Sequence, residues 1–465
     1  MKNNFLNFYA LCAVFKGSYD YYNLMSRNGA KKETDVRDQE VLESDELKAE
    51  LSRGNYTTES NFSIKRTFAA LKYPNYRLWF WGQMISMLGT WMQVTAQGFL
   101  IYDLTHSPAY LGLVGFASGI PTWVFMLYGG VIADRFSKRK ILMITQSIMM
   151  ALAGILAVLA FTHLVQPWHI ILLAFLLGTA NAFDAPSRVS FVNELVDKPD
   201  LTNAIALNST MFNTATATGP AIAGITYAIA GPAWCFTVNA LSFIGVLIAL
   251  KKMKLVERVI PVSGKTAFAD IKEGLKYIAK HPVVRILILM VASMSLFGLS
   301  FATLLPAWSV KILGGDSATN GFLQSARGVG ALASALFIAS LGRFNYKGKL
   351  LTIGSIAFPV LMLVFSFVNI VPLSLFVIFT IGSALILTMN IANSLVQTLV
   401  PDALRGRVMG VYTLTFFGLL PIGALLMGML AEHLGEAEAI LICSLITFVI
   451  SVLIFLLVPS IKRLK

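Results

Sequence analysis

Asp134, Arg135, Lys138, Arg139 and Lys140 crowd into residues 134–140, between two long apolar segments. Gly129 and Gly130 stand at the edge of this knot. A carboxylate beside a helix N-terminus gains about 0.3–1 kcal/mol, and more when partly buried. Neighbouring glycines carry no side chain and let a second helix approach closely. The chemistry this stretch supports is a reversible contact, made and broken as helices move. A bias of a few kcal/mol tips a two-state equilibrium without locking it.

Deeper in the apolar segments charge is scarce, so each charged residue there is a candidate. Asp184 lies in FDAPSR, with Arg188, Arg135 and Arg139 as alternative partners. It is the best candidate to carry a coupling proton, and a structural ion pair is an equally supported reading. Arg327 lies well inside another apolar segment. A buried arginine is costly and faces a cavity or a partner. Arg327 is therefore assigned to coupling, to attraction of an anionic substrate, or to anchoring a gate. Gln93, Gln97, Asn181, Asn213, Gln324, Asn390 and Asn393 supply uncharged polar groups for a central cavity. Trp91 and Met92, with Trp123, Phe297 and Phe301, supply an apolar, adaptable wall. Each of these, taken singly, also suits ordinary packing.

Several chemistries are excluded. No GxxxxGK[ST] loop is present, which argues against ATP drive. No Ser-His-Asp or paired-carboxylate arrangement occurs, so no enzymatic activity is expected. The three cysteines, Cys12, Cys235 and Cys443, are scattered, and no His-Cys cluster exists. No disulfide framework, metal site or cofactor is expected.

The elements that must position these residues follow from composition. The chain has 465 residues, 56% hydrophobic and 13% charged, with a mean hydropathy of +0.70. A soluble protein carries about twice that charge. Apolar residues come in blocks near the ~20 residues that cross a bilayer as a helix. Lipid demands helices or a closed barrel, and strand alternation is absent, so helices are predicted. Twelve spans are expected, near 77–102, 108–133, 141–163, 168–189, 201–229, 232–250, 283–310, 318–341, 350–368, 372–397, 404–431 and 438–460. Residues 1–72 read as a cytoplasmic tail, 73–250 and 283–465 as two six-helix bundles, and 251–282 as a cytoplasmic linker. In that linker Phe268, Ile271, Leu275 and Ile278 oppose Lys272, Lys276 and Lys280, the pattern of an amphipathic helix at the membrane surface. The N-terminal MKNNFLNFYALCAVFKG mimics a signal peptide, but no small-x-small cleavage site follows it.

Lys and Arg crowd into connections after even-numbered spans, whereas the odd-numbered connections hold Lys311 alone. Positive residues stay on the cytoplasmic side, so both termini are expected there. The lysines of the opening knot read as topology markers. The net charge of +13 needs no nucleic acid to explain it. The halves also echo each other: NAFDAPSR followed by Pro199-Asp200-Leu201, and NIANSLVQ followed by Pro401-Asp402-Ala403-Leu404. That echo suggests internal duplication.

Twelve spans in two halves, with a charged loop after the second, resemble the major facilitator superfamily. Its loop pattern is Gly-x-Leu-Ala-Asp-Arg-x-Gly-Arg-Lys/Arg. Here the loop runs from Gly130 through Ala133, Asp134 and Arg135 to Lys138 and Arg139, with Ser137 replacing the second glycine. The resemblance implies that Gly130, Asp134, Arg135 and Arg139, with Arg405 and Arg407 at the start of the eleventh span, form the inner-gate latch. GPAIAG, with Gly219, Pro220 and Gly224, is similar to the kinked fifth helix of exporters in this superfamily. GTWMQ, YDLT, FDAPSR, ALNS and LRGRVMG resemble the branch holding enterobactin exporters and bacterial drug and secretion transporters. The helix-4 arginine common in proton-coupled exporters is replaced by Ala174.

The expected fold is all-α, with twelve membrane-spanning helices in two pseudo-symmetric bundles. The expected function is secondary active export of small amphipathic or siderophore-like molecules across a bacterial cytoplasmic membrane. Alternating access and proton antiport are its mechanism, and the partners are a small-molecule substrate and membrane lipid, with a monomeric chain. An importer or lipid flippase on the same fold, and a non-transporting sensor or scaffold, stay open as alternatives.

Overall fold

The computed structural model describes residues 68–254, 267–342, 344–459, 461 and 464. The expectations for the tail through residue 67 and for residues 255–266 lie outside the described residues. Twelve long helical elements follow in chain order: α1 (Pro74–Thr105), α2 (Pro108–Arg135), α3 (Lys138–Phe161), α4 (Pro167–Leu195), α5 (Leu201–Ala230) and α6 (Pro232–Lys252). After a linker helix (Ala267–Lys280) come α7 (Pro282–Ile312), α8 (Ser317–Ser340), α9 (Lys347–Phe365), α10 (Val371–Leu399), α11 (Asp402–Leu434) and α12 (Glu436–Leu457).

Local sequence sets the ends. Proline opens α1, α2, α4, α6, α7 and α10 within the first two positions, where its missing N–H costs nothing and its φ suits a helix. Gly231 and Gly435, with φ of 86° and 102°, turn α5 into α6 and α11 into α12, a conformation open mainly to glycine. Ten of the helices are apolar enough to cross a membrane by composition. The other two, α1 and α5, reach the same length but carry Gln83, Gln93 and Gln97, or Asn203, Asn208 and Asn213. α7 is not regular: an α-helical start gives way to π turns over Met294–Gly298 and Trp308–Ile312, flanking a 3-10 stretch over Leu299–Leu304. Pro306 sits in this region and removes one helix hydrogen bond.

The halves repeat one another. α2 packs on α4, α3 on α4 and α6, and α1 on α5 and α6; α8 packs on α10, α9 on α10 and α12, and α7 on α11 and α12. Each pairing recurs six helices later. The bundles meet chiefly along α2–α11 and α5–α8. Their cores differ. The C-terminal bundle has one continuous apolar core around Phe301, Trp308, Phe358 and Phe365. The N-terminal bundle has separate clusters, one around Tyr76, Trp79 and Phe191 and another around Leu100, Leu156 and Phe236. Polar side chains on α1, α3, α4 and α6 lie between them in the chain.

The linker helix is held by protein as well as by its expected apolar stripe. Ile278 is buried, Ile271 packs against the C-terminal core, and Leu275 is 52% exposed. A Cβ on Gly274 would stand 2.7 Å from the Arg407 carbonyl oxygen, so the helix lies directly on the start of α11.

Candidate functional site

A cavity of about 250 Å³ opens within the N-terminal bundle, among α1, α3, α4, α5 and α6. Asp184 lines it with no exposure of its own. Its Oδ1 accepts hydrogen bonds from Thr145 Oγ1 at 2.8 Å and Gln146 Nε2 at 2.9 Å. Its Oδ2 faces Arg188 Nε at 3.4 Å, one helical turn along α4. Of the partners open in the sequence, Arg188 is the one the fold supplies, because i and i+4 share a helix face. Arg188 keeps 25% of its side chain exposed, so it leads from the buried carboxylate outward. On the far wall Asn239 Nδ2 donates to Gln93 Oε1 at 2.6 Å. Three buried atoms around the cavity lack a hydrogen-bond partner: Asp184 Oδ2, Gln83 Oε1 and Gln146 Oε1. All three are acceptors.

Of the cavity residues expected from sequence, Trp91, Gln93 and Asn181 line this space with Asp184 and Arg188. Trp91 packs edge-on against Phe212 at 5.9 Å. Met92 and Gln97 are buried. Asn213 is partly buried on α5. Gln324 belongs to the other bundle, where its Nε2 donates to Asn320 Oδ1 at 3.2 Å. Asn390 is not in the same chamber: it lines a separate recess of about 460 Å³ with Lys347, Phe344 and Ser394. Asn393 is one turn from Gln397, whose amide donates to it. The expected single cavity is thus divided, because a polar residue on α10 faces whichever neighbour its own helical turn selects.

The bundles touch at one end and part at the other. A Cβ on Gly112 would stand 2.6 Å from Ala424 O, and one on Gly428 would stand 2.6 Å from Pro108 O. Gly119 of α2 lies equally close to Pro421 of α11. Gly130 of α2, and Gly406 and Gly410 of α11, would meet nothing within 4 Å. α2 and α11 are thus in contact from residues 108 and 428 as far as Trp123 and Gly418, and Gly130, Gly406 and Gly410 make no close contact. On the second seam, a Cβ on Gly224 would stand 2.9 Å from Ala318 Cα. Pro220 disturbs the α5 ladder, and the N–H of Ala221 is taken up by Ser325 Oγ of α8 at 2.9 Å. Gly219 fits against Trp91 of α1.

At the closed end Glu432 of α11 receives Ser107 Oγ at 2.6 Å and the Ala109 backbone N–H at 3.2 Å. A carboxylate thus caps the N-terminus of α2 from the opposite bundle. At the open end Asp134 is exposed and, among the described residues, makes no hydrogen bond or ion pair. Arg135 is exposed, and Arg139 donates to the Lys251 carbonyl at 3.0 Å. Arg405 pairs with Asp402 and donates to the Gln397 carbonyl. Arg407 holds Asp270 at 2.9 Å and Glu273 at 2.6 Å on the linker helix. The expected latch residues are therefore not gathered here: Arg407 grips the linker helix, and Asp134 stands apart.

The sequence pointed only partly to other residues of this arrangement. Lys138 is more than a topology marker, being 5% exposed and bound to Glu194 at 2.7 Å. Glu432 with Ser107 escaped, since 325 positions separate them. Thr145, Gln146 and Asn239 escaped because each is a single polar residue in an apolar run. The signal available was the scarcity of amides in α3 and α6.

A family pattern described as transmembrane secretion effector matches residues 65–463. The staphyloferrin A transporter of Staphylococcus aureus is 25% identical over 389 residues, covering 83% of this chain and 97% of that one. The enterobactin exporter EntS of Shigella flexneri is 23% identical over 410 residues, covering 87% and 95%. Among solved structures, a bacterial homologue of the human lysosomal transporter Spinster, inward-facing and unoccupied, superposes with a TM-score of 0.66 at 12% identity, covering 87% and 99%. Such a structural likeness speaks to the fold alone. The family pattern spans nearly all the described helices, and the chain therefore belongs to the transmembrane secretion effector family of the major facilitator superfamily, a multi-pass membrane transporter rather than an enzyme.

Proposed function

We propose that this chain exports small amphipathic or siderophore-like molecules from the cytoplasm of a bacterium by alternating access, in exchange for protons. The observation that carries the reading is the close contact of α2 with α11 from residues 108 and 428 to Trp123 and Gly418, with none at Gly130, Gly406 and Gly410. The open end carries the dense Lys and Arg of the chain, which favours its being cytoplasmic. In that frame Glu432 at the N-terminus of α2 is the outer latch, and Asp134 is the inner one, free while the cytoplasmic side is open. When the inner end closes, Asp134 meets the N-terminus of α11. The match to a secretion family and the likeness to an enterobactin exporter support the outward direction.

Asp184 is the proton carrier in this reading. Its Oδ2 has only the 3.4 Å contact with Arg188, and in the same cavity Oε1 of Gln83 and of Gln146 lacks a donor. A proton on Oδ2 removes the attraction for Arg188 and supplies that donor. A buried charge without full compensation is costly, so gain and loss of a proton bias the packing of α4 against α3. The chain acts as a monomer, since the bundles form the whole translocation path within one chain.

The test is uptake into sealed everted vesicles, after efflux profiling of a deletion strain has named a substrate. Accumulation driven by an acid-inside gradient is expected for the wild type. Asp184→Asn is expected to lose gradient-driven accumulation while keeping gradient-free exchange of labelled for unlabelled substrate. Gradient-driven accumulation that survives in Asp184→Asn excludes this carrier, and transport only in the opposite sense excludes export.

A further inference from the structure

We propose that Arg327 is the docking point for a carboxylate on the transported molecule, so that the cleft selects acidic substrates. This rests on the reading of the cleft as the transport path. Three observations carry it.

The first is depth. α8 begins at Ser317, where Asp316 accepts the Thr319 N–H as its cap. Arg327 lies ten residues further on, about 15 Å at ~1.5 Å per residue. That is close to the middle of a ~30 Å hydrocarbon layer.

The second is direction. Phe322, Val329 and Leu336 are exposed at 44, 45 and 62% and mark the lipid side of α8. Gly321, Ser325 and Gly328 meet α5, and Gly330 meets α10. At 100° per residue, Arg327 lies opposite the lipid side, between the α5 and α10 seams. Asn320 and Gln324 share that face. The stripe thus faces the protein interior between the two seams, with Asn320 and Gln324 buried on it.

The third is charge. Deep in the described helices, away from their ends, the acidic and basic residues are Asp184, Arg188 and Arg327. Asp184 and Arg188 offset each other. Arg327 has no hydrogen bond or ion pair among the described residues, and its Nε is buried and unsatisfied. Asn320 Nδ2, on the same face, is the second buried orphan there. Both are donors, whereas the orphans around Asp184 are acceptors. A guanidinium with a buried, unsatisfied N–H is stabilised by a carboxylate at short range. Among the described residues none meets it on this face, so the cargo is the proposed source. A molecule with an acid at Arg327 and a further acceptor about 10 Å away, near Asn320, fits the two-turn spacing.

The test is equilibrium binding to the full chain in lipid nanodiscs, which depends on neither transport direction nor coupling. The probes are 1-pyrenebutyrate and its uncharged carboxamide, read by saturable fluorescence quenching. The wild type is expected to bind the acid at least tenfold more tightly than the amide. Arg327→Gln is expected to abolish that preference, and Arg327→Lys to keep part of it with the same thermal unfolding midpoint as the wild type. Equal affinities in the wild type, or a preference that survives Arg327→Gln, overturn the assignment. A preserved preference in a protein that fails to export sinks the transport reading and leaves the acid site standing.

Discussion

At the scale of single residues, opposite demands have been placed in the two bundles. The N-terminal cavity leaves acceptors unsatisfied around Asp184, and the facing stripe of α8 leaves donors unsatisfied around Arg327. The latch at the closed end is smaller in energy. Glu432 is exposed, so its contact with the start of α2 contributes roughly 1 kcal/mol. Glu432→Gln is expected to shift the population of the closed outer end by about fivefold, measured as spin-label distances between α2 and α11; an unchanged distribution denies it a latch role. A second carboxylate cluster ties the approach to α1 onto the α4–α5 connection. Lys72 meets Asp200 at 2.6 Å and Tyr73 donates to it at 2.8 Å. These partners hold the Asp200 carboxyl below the usual range, through the Lys72 hydrogen bond first and Tyr73 second. A depressed acid contributes stability above its unfolded pKa and loses it as pH falls through the lower folded value. Lys72 is raised by the same bond, so the contact is also lost far on the alkaline side. The protection factors of the amides over residues 69–76 are expected to be high at neutral pH and to fall on strong acidification and again far on the alkaline side. Asp200→Asn is expected to show the low protection already at neutral pH.

At the scale of elements, small residues decide where helices meet. The proline and small residues of GPAIAG stood out in α5, but the sequence did not say what they fit. Gly219 accepts α1, Gly224 accepts α8, and Ser325 satisfies the donor left beside Pro220. A side chain at position 224 forces these helices apart. Overpacking of this kind costs about 1–3 kcal/mol. Gly224→Val is expected to move the population toward an open outer end by tenfold or more, seen as increased labelling of an engineered cysteine at Ala318 by a membrane-impermeant maleimide. Unaltered labelling would show that this seam does not control access. The linker helix was legible as amphipathic, yet its docking was not. Asp270 and Glu273 hold it to Arg407, the residue that sequence alone had assigned to the gate. In the proposed reading, the stretch that receives Asp134 is thus occupied on one side by linker carboxylates.

At the scale of the whole molecule, two bundles share one pairing pattern and, in the proposed reading, close on each other like a hinge. A short bifunctional thiol reagent joining cysteines at Ser107 and Glu432 is expected to arrest transport, because these side chains meet across the closed end. Cysteines at 130 and 406 are expected to cross-link only when the closed end is prised open, for instance in Gly224→Val. Rapid cross-linking of both pairs in one population would show that the ends do not alternate. The sequence by itself determined the twelve helices, to within three residues at every end but that of α4, which runs six residues past the expected 189, together with their all-α class and the echo between the halves. Hydropathy, proline starts and glycine turns are local, and a bilayer makes them decisive. It also singled out Asp184 and Arg327, because an ionisable group in an apolar run stands out without any knowledge of its neighbours. Tertiary structure alone decided that Asp184 takes Arg188, Thr145 and Gln146, that Glu432 reaches α2, that Asn390 falls outside the N-terminal cavity, and which end is shut. Those outcomes depend on which faces of distant helices are brought together, and a side chain's partner across hundreds of residues is set by packing geometry that no local pattern encodes.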